Sequence, residues 1–177
     1  MKAVLISIRP KWCELIASGL KSVEVRKVRP KIETPFKCYI YCTKPDTKDP
    51  HQLLEIHGHD GKIRKANGKV IGEFVCDYIC PFFDYKDACI SRKEIEKYAG
   101  EKILYGWHIS DLNIYDKPRE LSEFYVCKDD VDDYCSGCAH HECNEAEYPC
   151  CECIKDERNR AYLYRPPQSW YYVEENV

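Results

Sequence analysis

Residues 3–27, AVLISIRPKWCELIASGLKSVEVRK, decide how this chain begins to fold. The apolar run at residues 3–8 predicts an interior β-strand. Pro10 suits the first turn of a helix and Gly19 suits the left-handed conformation that often ends one, so a helix is predicted between them. Valines then alternate with polar residues over 21–28, which predicts a second strand. The segment therefore predicts a strand, a helix and a strand in close succession.

Strands dominate the rest of the predicted structure, with one more helix. Ser91 and Glu94 have the spacing of a capping box, which predicts a short helix over residues 92–98. Residues 43–68 are polar and are predicted to form a long surface excursion. The remaining strands are predicted from β-branched and aromatic runs at 36–42 (FKCYIYC), 69–80 (KVIGEFVCDYIC, with Gly72 as a candidate bulge) and 104–115 (LYGWHISDLNIY). Residues 165–173 (RPPQSWYYV) predict a turn followed by a final strand. Five or six strands, two short helices and no βαβ rhythm predict a small mixed α+β barrel.

Charge is distributed unevenly along the chain. Residues 1–70 contain fifteen Lys or Arg and seven Asp or Glu, whereas residues 71–177 contain twelve and twenty-three. The first part can attract a phosphate backbone, although an ordinary surface with uneven charge explains these counts equally well. No run approaches the roughly 18 consecutive apolar residues that span a bilayer, and the N-terminal apolar run is too short for a signal peptide. We therefore expect a cytoplasmic protein with no membrane partner.

Thirteen cysteines raise the question of disulfides. Their number is odd, no export signal is evident, and 177 residues are enough to build a core without crosslinks. Seven cysteines are scattered among apolar neighbours and are expected to be reduced core residues. The other six lie between Cys135 and Cys153, a density that indicates metal binding.

Two C-x-x-C pairs in this cluster predict a structural Zn²⁺ site. Cys135 and Cys138 form the first pair, and Cys150 and Cys153 follow eleven residues later. Two intervening residues let both sulfurs of a pair reach one ion, and four thiolates leave no position for a catalytic water. One or two disulfides are the alternative. The ligand set also stays open, because further side chains are close enough to substitute: Cys143, Cys151, His140 and His141.

The segment around these cysteines is acidic and poor in apolar residues. Residues 128–158 contain three basic and ten acidic side chains. Such a segment is expected to need a metal crosslink in order to fold, and its charge disfavours phosphate binding. It is instead a candidate surface for a protein partner.

The N-terminal segment also carries the motif G-x-K-x-x-E-x-R, at Gly19, Lys21, Glu24 and Arg26. Together with residues 70–74 (VIGEF), 105–107 (YGW) and 165–170 (RPPQSW), this motif resembles the ASCH domain of the PUA-like superfamily, which includes phage and prophage-type bacterial proteins. The resemblance assigns residues 1–127 and 160–177 to that domain and leaves 128–159 as a Cys-rich zinc-knuckle insertion. It implies an α+β fold, a PUA-like small β-barrel with two or three short helices. It further implies a cleft lined by the helix-to-strand motif, with RNA or a modified nucleotide as ligand.

Basic and polar side chains around the first helix–strand junction are predicted to bind that ligand. Lys21 can reach a phosphate or a carbonyl, Glu24 can accept from a base amino group, and Arg26 begins a basic run that includes Arg29 and Lys31. Glu24 and Arg26 equally suit a structural ion pair. The candidates for base stacking are Trp12, Tyr41, Trp107 and Trp170, although core packing is the commoner role of such residues. The predicted binding set is Arg9, Lys11, Lys21, Ser22, Glu24, Arg26, Lys27, Trp107, Gln168, Ser169 and Trp170.

A small hydrolase that uses the same cleft is the alternative function. Some members of the resembled family are amidohydrolases of acetylcytidine that use a lysine, a threonine nucleophile and a glutamate. Lys21 matches the lysine, but Glu24 stands in the place of the threonine, and a carboxylate is a poor nucleophile for an amide. If the protein is an enzyme, Lys21 and Glu24 are the predicted catalytic residues. Ser22 is a candidate to replace the threonine and Glu73 to supply the glutamate. Other members of the family have been proposed as ribonucleases, and for that activity the acid–base candidates are Lys21, Tyr105, His108 and Ser110.

Overall fold

The chain has a mixed α+β fold in a computed structural model that describes residues 2–45, 54–82, 86–127, 162–163 and 165–174. These residues form ten β-strands, two α-helices and one short 3-10 helix at Leu121–Glu123. The helices are α1 (Pro10–Ala17) and α2 (Arg92–Ala99). The strands are β1 (Lys2–Ile8), β2 (Val23–Arg26), β3 (Phe36–Cys42), β4 (Glu55–His57), β5 (Ile63–Lys65), β6 (Lys69–Cys76), β7 (Ile79–Pro81), β8 (Tyr105–His108), β9 (Ser110–Arg119) and β10 (Trp170–Glu174). Neither of the helices described is long and apolar enough to cross a membrane.

The described strands form three sheets, and no closed barrel is seen among them. The largest sheet has five strands in the order β10-β1-β3-β6-β9. In it β1 pairs with β3 in parallel, and the other pairs are antiparallel. A second sheet has the order β2-β8-β7, and β4 forms a separate hairpin with β5.

The two faces of the five-stranded sheet pack against different cores. On one face of the sheet, β1 contributes Val4, Ile6 and Ile8 to the first core. Cys13 of α1 and Trp107 of the sheet β2-β8-β7 belong to the same core. Ala3 and Leu5 face a second core that contains Phe124, Leu163 and Val173. A strand covered on both faces needs apolar residues at successive positions, which explains the unbroken apolar run that predicted β1.

Several elements confirm the sequence predictions. Strand β3 has the predicted bounds. Helix α1 begins at Pro10, as predicted, and β10 follows the predicted turn at the end of the chain. Helix α2 begins at a capping box in which Glu94 N–H donates to Ser91 Oγ at 3.3 Å and Ser91 N–H donates to Glu94 at 3.1 Å. The ladder between β3 and β6 shifts register opposite Gly72, where a bulge was predicted. The predicted strand over 21–28 is confirmed only for its central residues, as β2.

Other elements differ from the predictions because the chain changes sheets inside a continuous alternating pattern. Residues 104–115 form two strands, β8 and β9, which belong to different sheets. Asp111 has a φ of 46° just after the break. Residues 69–80 likewise divide into β6 and β7. The predicted surface excursion contains the β4–β5 hairpin, while residues 46–53 of it lie outside the described residues.

Candidate functional site

The predicted site lies where α1 ends and β2 begins. Gly19 follows the helix with a φ of 74°, the left-handed conformation predicted for it. The backbone N–H groups of Leu20 and Lys21 both donate to the carbonyl oxygen of Leu15, each at 3.0 Å. These bonds fix the backbone of Lys21 against the last turn of α1.

Three charged side chains are buried at this junction. Lys21, Glu24 and Arg26 are 4%, 6% and 8% exposed. One carboxylate oxygen of Glu24 lies 3.4 Å from Lys21 Nζ, and the other lies 3.0 Å from Arg26 Nη2. This cluster, which we call the junction cluster, contains two cationic side chains and one carboxylate. It therefore has an excess of positive charge.

Lys21 uses its ammonium group inside the protein. Nζ donates to the carbonyl oxygens of Val23 at 2.6 Å and Ala88 at 3.0 Å, and it forms an ion pair with Glu24 at 3.4 Å. An ammonium has three N–H donors, and these two backbone carbonyls use two of them. The predicted contact between Lys21 and a phosphate, and its predicted catalytic role, stay predictions. The observed contacts are those of a side chain that positions Glu24.

Two buried N–H groups of this region have no hydrogen-bond partner among the described residues. They are Nε of Arg26 and Nε1 of Trp107. Another nitrogen of Arg26, Nη2, donates to the carbonyl oxygen of Ser7 at 2.7 Å. Trp107 lies opposite Glu24 in the β2–β8 pair, and the centre of its ring is 6.2 Å from that of Trp170. Because buried donors are nearly always paired, both groups are suited to an acceptor that the described residues do not supply.

The segment before β10 reaches the junction cluster through Ser7. The Ser7 N–H donates to Ser169 O at 2.9 Å, and its hydroxyl donates to Pro167 O at 2.7 Å. The carbonyl of the same residue accepts from Arg26. Ser7 thus links Arg26 to the segment that contains Gln168 and Ser169. Gln168 is exposed, and Ser169 and Trp170 are half-buried.

Exposed basic residues lie on the first turn of α1. Arg9 occupies the N-cap position and Lys11 follows in the helix, and both are exposed. Lys11 Nζ lies 4.5 Å from the centre of the Trp12 ring, and Lys21 Nζ lies 5.4 Å from it. Lys11 also forms an ion pair of 3.3 Å with Glu94 of α2. The indole of Trp12 is therefore flanked by cations, and it is half-buried.

The remaining candidates occupy other surroundings. Ser22 accepts through its backbone from Ile109 N–H at 2.8 Å. Ser110 Oγ donates to Val75 O at 2.9 Å. His108 Nδ1 lies 2.7 Å from Asp77, with the ring stacked on Tyr78.

Glu73 lies away from the junction cluster. It is paired with Tyr39, which belongs to the second core, and it accepts from Tyr115 at 2.6 Å. Cys13 does lie in the core behind the cluster, where burial raises the pKa of its thiol well above the ordinary value. That burial fits the expected core role.

Backbone carbonyls are the part of the site that the sequence did not indicate. Ser7 and Ala88 supply acceptors to Arg26 and Lys21 from distant parts of the chain. Every residue has a carbonyl, so no sequence pattern could have marked these two.

The predicted zinc ligands, Cys135, Cys138, Cys150 and Cys153, lie outside the described residues, as do Cys143, Cys151, His140 and His141. In the described ranges no three His, Cys, Asp or Glu side chains are grouped to hold a metal. The seven scattered cysteines all lie within those ranges. Five of them are buried as expected, whereas Cys80 is exposed and Cys89 half-buried.

Comparisons with known proteins bear on the fold. No protein-family model matches the chain, and no curated protein matches it. Among solved structures, the ASCH protein of Zymomonas mobilis matches with a TM-score of 0.56 and 18% identity, over 98% of this chain and 88% of that one. A tyrosine-to-phenylalanine mutant of that protein has a TM-score of 0.57 at 17% identity, over 99% of this chain and 92% of its own. A serine-to-alanine mutant has the same TM-score at 16% identity, over 98% and 89%.

The fold is therefore that of the ASCH-domain structures, as the motif at the α1–β2 junction predicted. The similarity extends over nearly the whole chain.

Proposed function

We propose that this chain is an ASCH-family protein that binds RNA or a modified nucleotide at the junction of α1 and β2. The observation that carries the proposal is the junction cluster of Lys21, Glu24 and Arg26, with its excess positive charge and neighbouring unpaired N–H donors. Burying an uncompensated charge is costly, so such a cluster suits a ligand that brings acceptor oxygens. Base carbonyl groups and phosphates are acceptors of this kind.

Exposed groups around the cluster suit the rest of such a ligand. Arg9 and Lys11 are candidates to meet phosphates, because both are exposed at the start of α1. The half-buried ring of Trp12 offers a surface on which a base can stack. In this proposal Arg26 contacts the ligand through its unpaired Nε, and Lys21 acts by holding Glu24.

The test is the salt dependence of binding to a fluorescein-labelled single-stranded RNA, measured by anisotropy. Arg9→Ala combined with Lys11→Ala should weaken binding and reduce the slope of log affinity against log salt by about 0.7 for each phosphate that the variant no longer neutralises. Lys62→Ala with Lys65→Ala is the matched control, since both lysines are exposed on the β4–β5 hairpin. Binding that is absent at low salt, or that the control weakens equally, would contradict the proposal.

Binding is better supported than hydrolysis by the contacts of the two predicted catalytic residues. The ammonium of Lys21 donates to two backbone carbonyls and is paired with Glu24, whose carboxylate is also engaged by Arg26. A nucleophile or general base needs a free reactive atom. Incubating the pure protein with acetylcytidine and with single-stranded RNA checks this choice. Turnover of either compound by the purified chain would favour the hydrolase instead.

We also propose a structural Zn²⁺ bound by Cys135, Cys138, Cys150 and Cys153. The support is the spacing of the two C-x-x-C pairs, which suits tetrahedral thiolate coordination. The acidic segment that carries them is proposed as a surface for a protein partner, because its charge repels nucleic acid.

A further inference from the structure

A second basic surface lies at the end of β2, whereas the α1–β2 junction lies at its start. Residues 26–32, RKVRPKI, contain four cations and no acidic residue. Arg29 and Lys31 are exposed and Lys27 is half-exposed. In the described parts of the chain none of these three forms an ion pair, whereas Lys11, Lys21 and Arg26 do.

Aromatic rings accompany these cations. Lys27 Nζ lies 4.8 Å from the centre of the Tyr98 ring, and the guanidinium of Arg29 lies 5.9 Å from that of Tyr105. The backbone N–H of Lys31 donates to the hydroxyl of Tyr172 at 2.6 Å. Lys2 Nζ lies 4.1 Å from the centre of the same Tyr172 ring. We call the residues Lys2, Lys27, Arg29, Lys31, Tyr98, Tyr105 and Tyr172 the basic–aromatic track.

The track is continuous with the junction of α1 and β2. Lys11 contacts Glu94 in α2, and Tyr98 lies one helical turn after Glu94 on the same face of that helix. The track continues through residues 27–31, where Lys27 lies beside Tyr98. Tyr105 lies opposite Arg26 at the end of β2. Residues from α2, from the segment 27–31 and from the start of β8 therefore contribute to one surface.

The composition of the track favours a nucleic acid over other anionic partners. Rings and cations recur side by side along it, as bases and phosphates do along a single strand. Aromatic rings stack on bases of any sequence, and cations track the backbone. Tyr98 is 38% exposed, so part of its ring is accessible. An acidic peptide would use the cations but offers no planar bases to the repeated rings.

We propose that the basic–aromatic track binds single-stranded RNA of about four or more nucleotides, as an extension of the nucleotide site at the α1–β2 junction. This inference rests on the proposed function and specifies its ligand as a polynucleotide strand rather than a free nucleoside. The junction holds one end of the strand. Phosphates of the following nucleotides contact Lys27, Arg29 and Lys31, and their bases stack on Tyr98 and Tyr105.

The experiment compares fluorescein-labelled oligouridylates of two, four and eight nucleotides by anisotropy at fixed salt. For the wild-type chain, affinity should rise at least about tenfold from the dinucleotide to the octanucleotide. Tyr98→Leu combined with Arg29→Ala should remove most of this rise, so that its affinities for the octanucleotide and the dinucleotide become similar. Tyr78→Leu with Lys62→Ala is the matched control, because Tyr78 is 47% exposed but stacks on His108 outside the track. This control should keep the full rise.

The outcomes separate the two proposals. If the dinucleotide binds but affinity does not rise with length, the track proposal fails and the nucleotide site stands. If no oligouridylate binds, the proposed function itself fails. Binding to phosphatidylserine vesicles that Tyr98→Leu with Arg29→Ala abolishes, while octanucleotide affinity stays unchanged, would overturn the track proposal in favour of a lipid surface.

Discussion

Glu24 is the residue on which the junction of α1 and β2 depends. Of the buried charged side chains among the described residues, it is the carboxylate that two cations share. Without it, Lys21 would keep two carbonyl acceptors and Arg26 would keep the carbonyl of Ser7. Neither cation would then have a countercharge within the cluster.

Replacing Glu24 with Gln should therefore be strongly destabilising. Removing one partner of a buried charged group leaves uncompensated charge, and we expect the free energy of unfolding to fall by about 3–5 kcal/mol. Urea denaturation followed by circular dichroism measures it. Glu14→Gln is the control, since Glu14 is exposed on α1 and its replacement should change stability little. A decrease below about 1 kcal/mol for Glu24→Gln would contradict the prediction, because it would show that the ion pairs of Glu24 contribute little to the free energy of unfolding.

At the scale of elements, the contact between β6 and β9 depends on a close approach at Gly72. A Cβ added there would lie 2.5 Å from the carbonyl oxygen of Asn113 and 3.1 Å from the Cα of Ile114. Both atoms belong to the backbone of β9, so no side-chain rotation can relieve the overlap. The register of the β6–β9 ladder also shifts around this residue. Gly72 thus lets two strands of the five-stranded sheet meet at a bulge.

Gly72→Ala should separate these strands and destabilise the protein by about 1–3 kcal/mol or more, the usual cost of overpacking. Gly106→Ala is the matched control, because Gly106 lies in β8 of the sheet β2-β8-β7. Its added Cβ would meet the side chains of Val23 at 3.0 Å and Phe82 at 3.4 Å, which can move aside. Thermal unfolding of the two variants should rank Gly72→Ala clearly below Gly106→Ala. Equal melting temperatures would show that β9 adjusts its backbone at no cost.

At the scale of the whole molecule, the end of the chain returns to its beginning. β10 pairs with β1 in register from Lys2 opposite Glu174 to Ile6 opposite Trp170. Val126 also forms a bridge to Val173. Residues 128–161 connect these two parts of the second core, and they contain the two C-x-x-C pairs. A metal crosslink in that connection would reduce the entropic cost of docking β10.

We expect the purified protein to contain about one zinc per chain, and its removal by a chelator to lower the melting temperature. Elemental analysis and thermal unfolding with and without chelator measure the two effects. Cys135→Ser should abolish stoichiometric zinc binding, whereas Cys80→Ser, at an exposed thiol outside the motif, should retain it. Metal-free protein with disulfides among the motif cysteines would support the alternative instead.

The parts of the fold that were predictable are those in which local chemistry decides the outcome. The Ser91–Glu94 capping box begins α2, and Gly19 takes the left-handed conformation after α1. Both depend on residues a few positions apart. The division of residues 104–115 into β8 and β9 was not predictable, because an alternating pattern has the same form whether a strand stays in one sheet or passes to another.

The sequence by itself determined the α1–β2 motif, the strand β1 and the charge asymmetry, since each is a property of neighbouring residues or of composition. Only the tertiary structure decided that Lys21 turns inward. Its acceptors include the carbonyl of Ala88, 67 positions away. A side chain's exposure depends on which distant backbone folds over it, and local sequence does not encode that backbone's position.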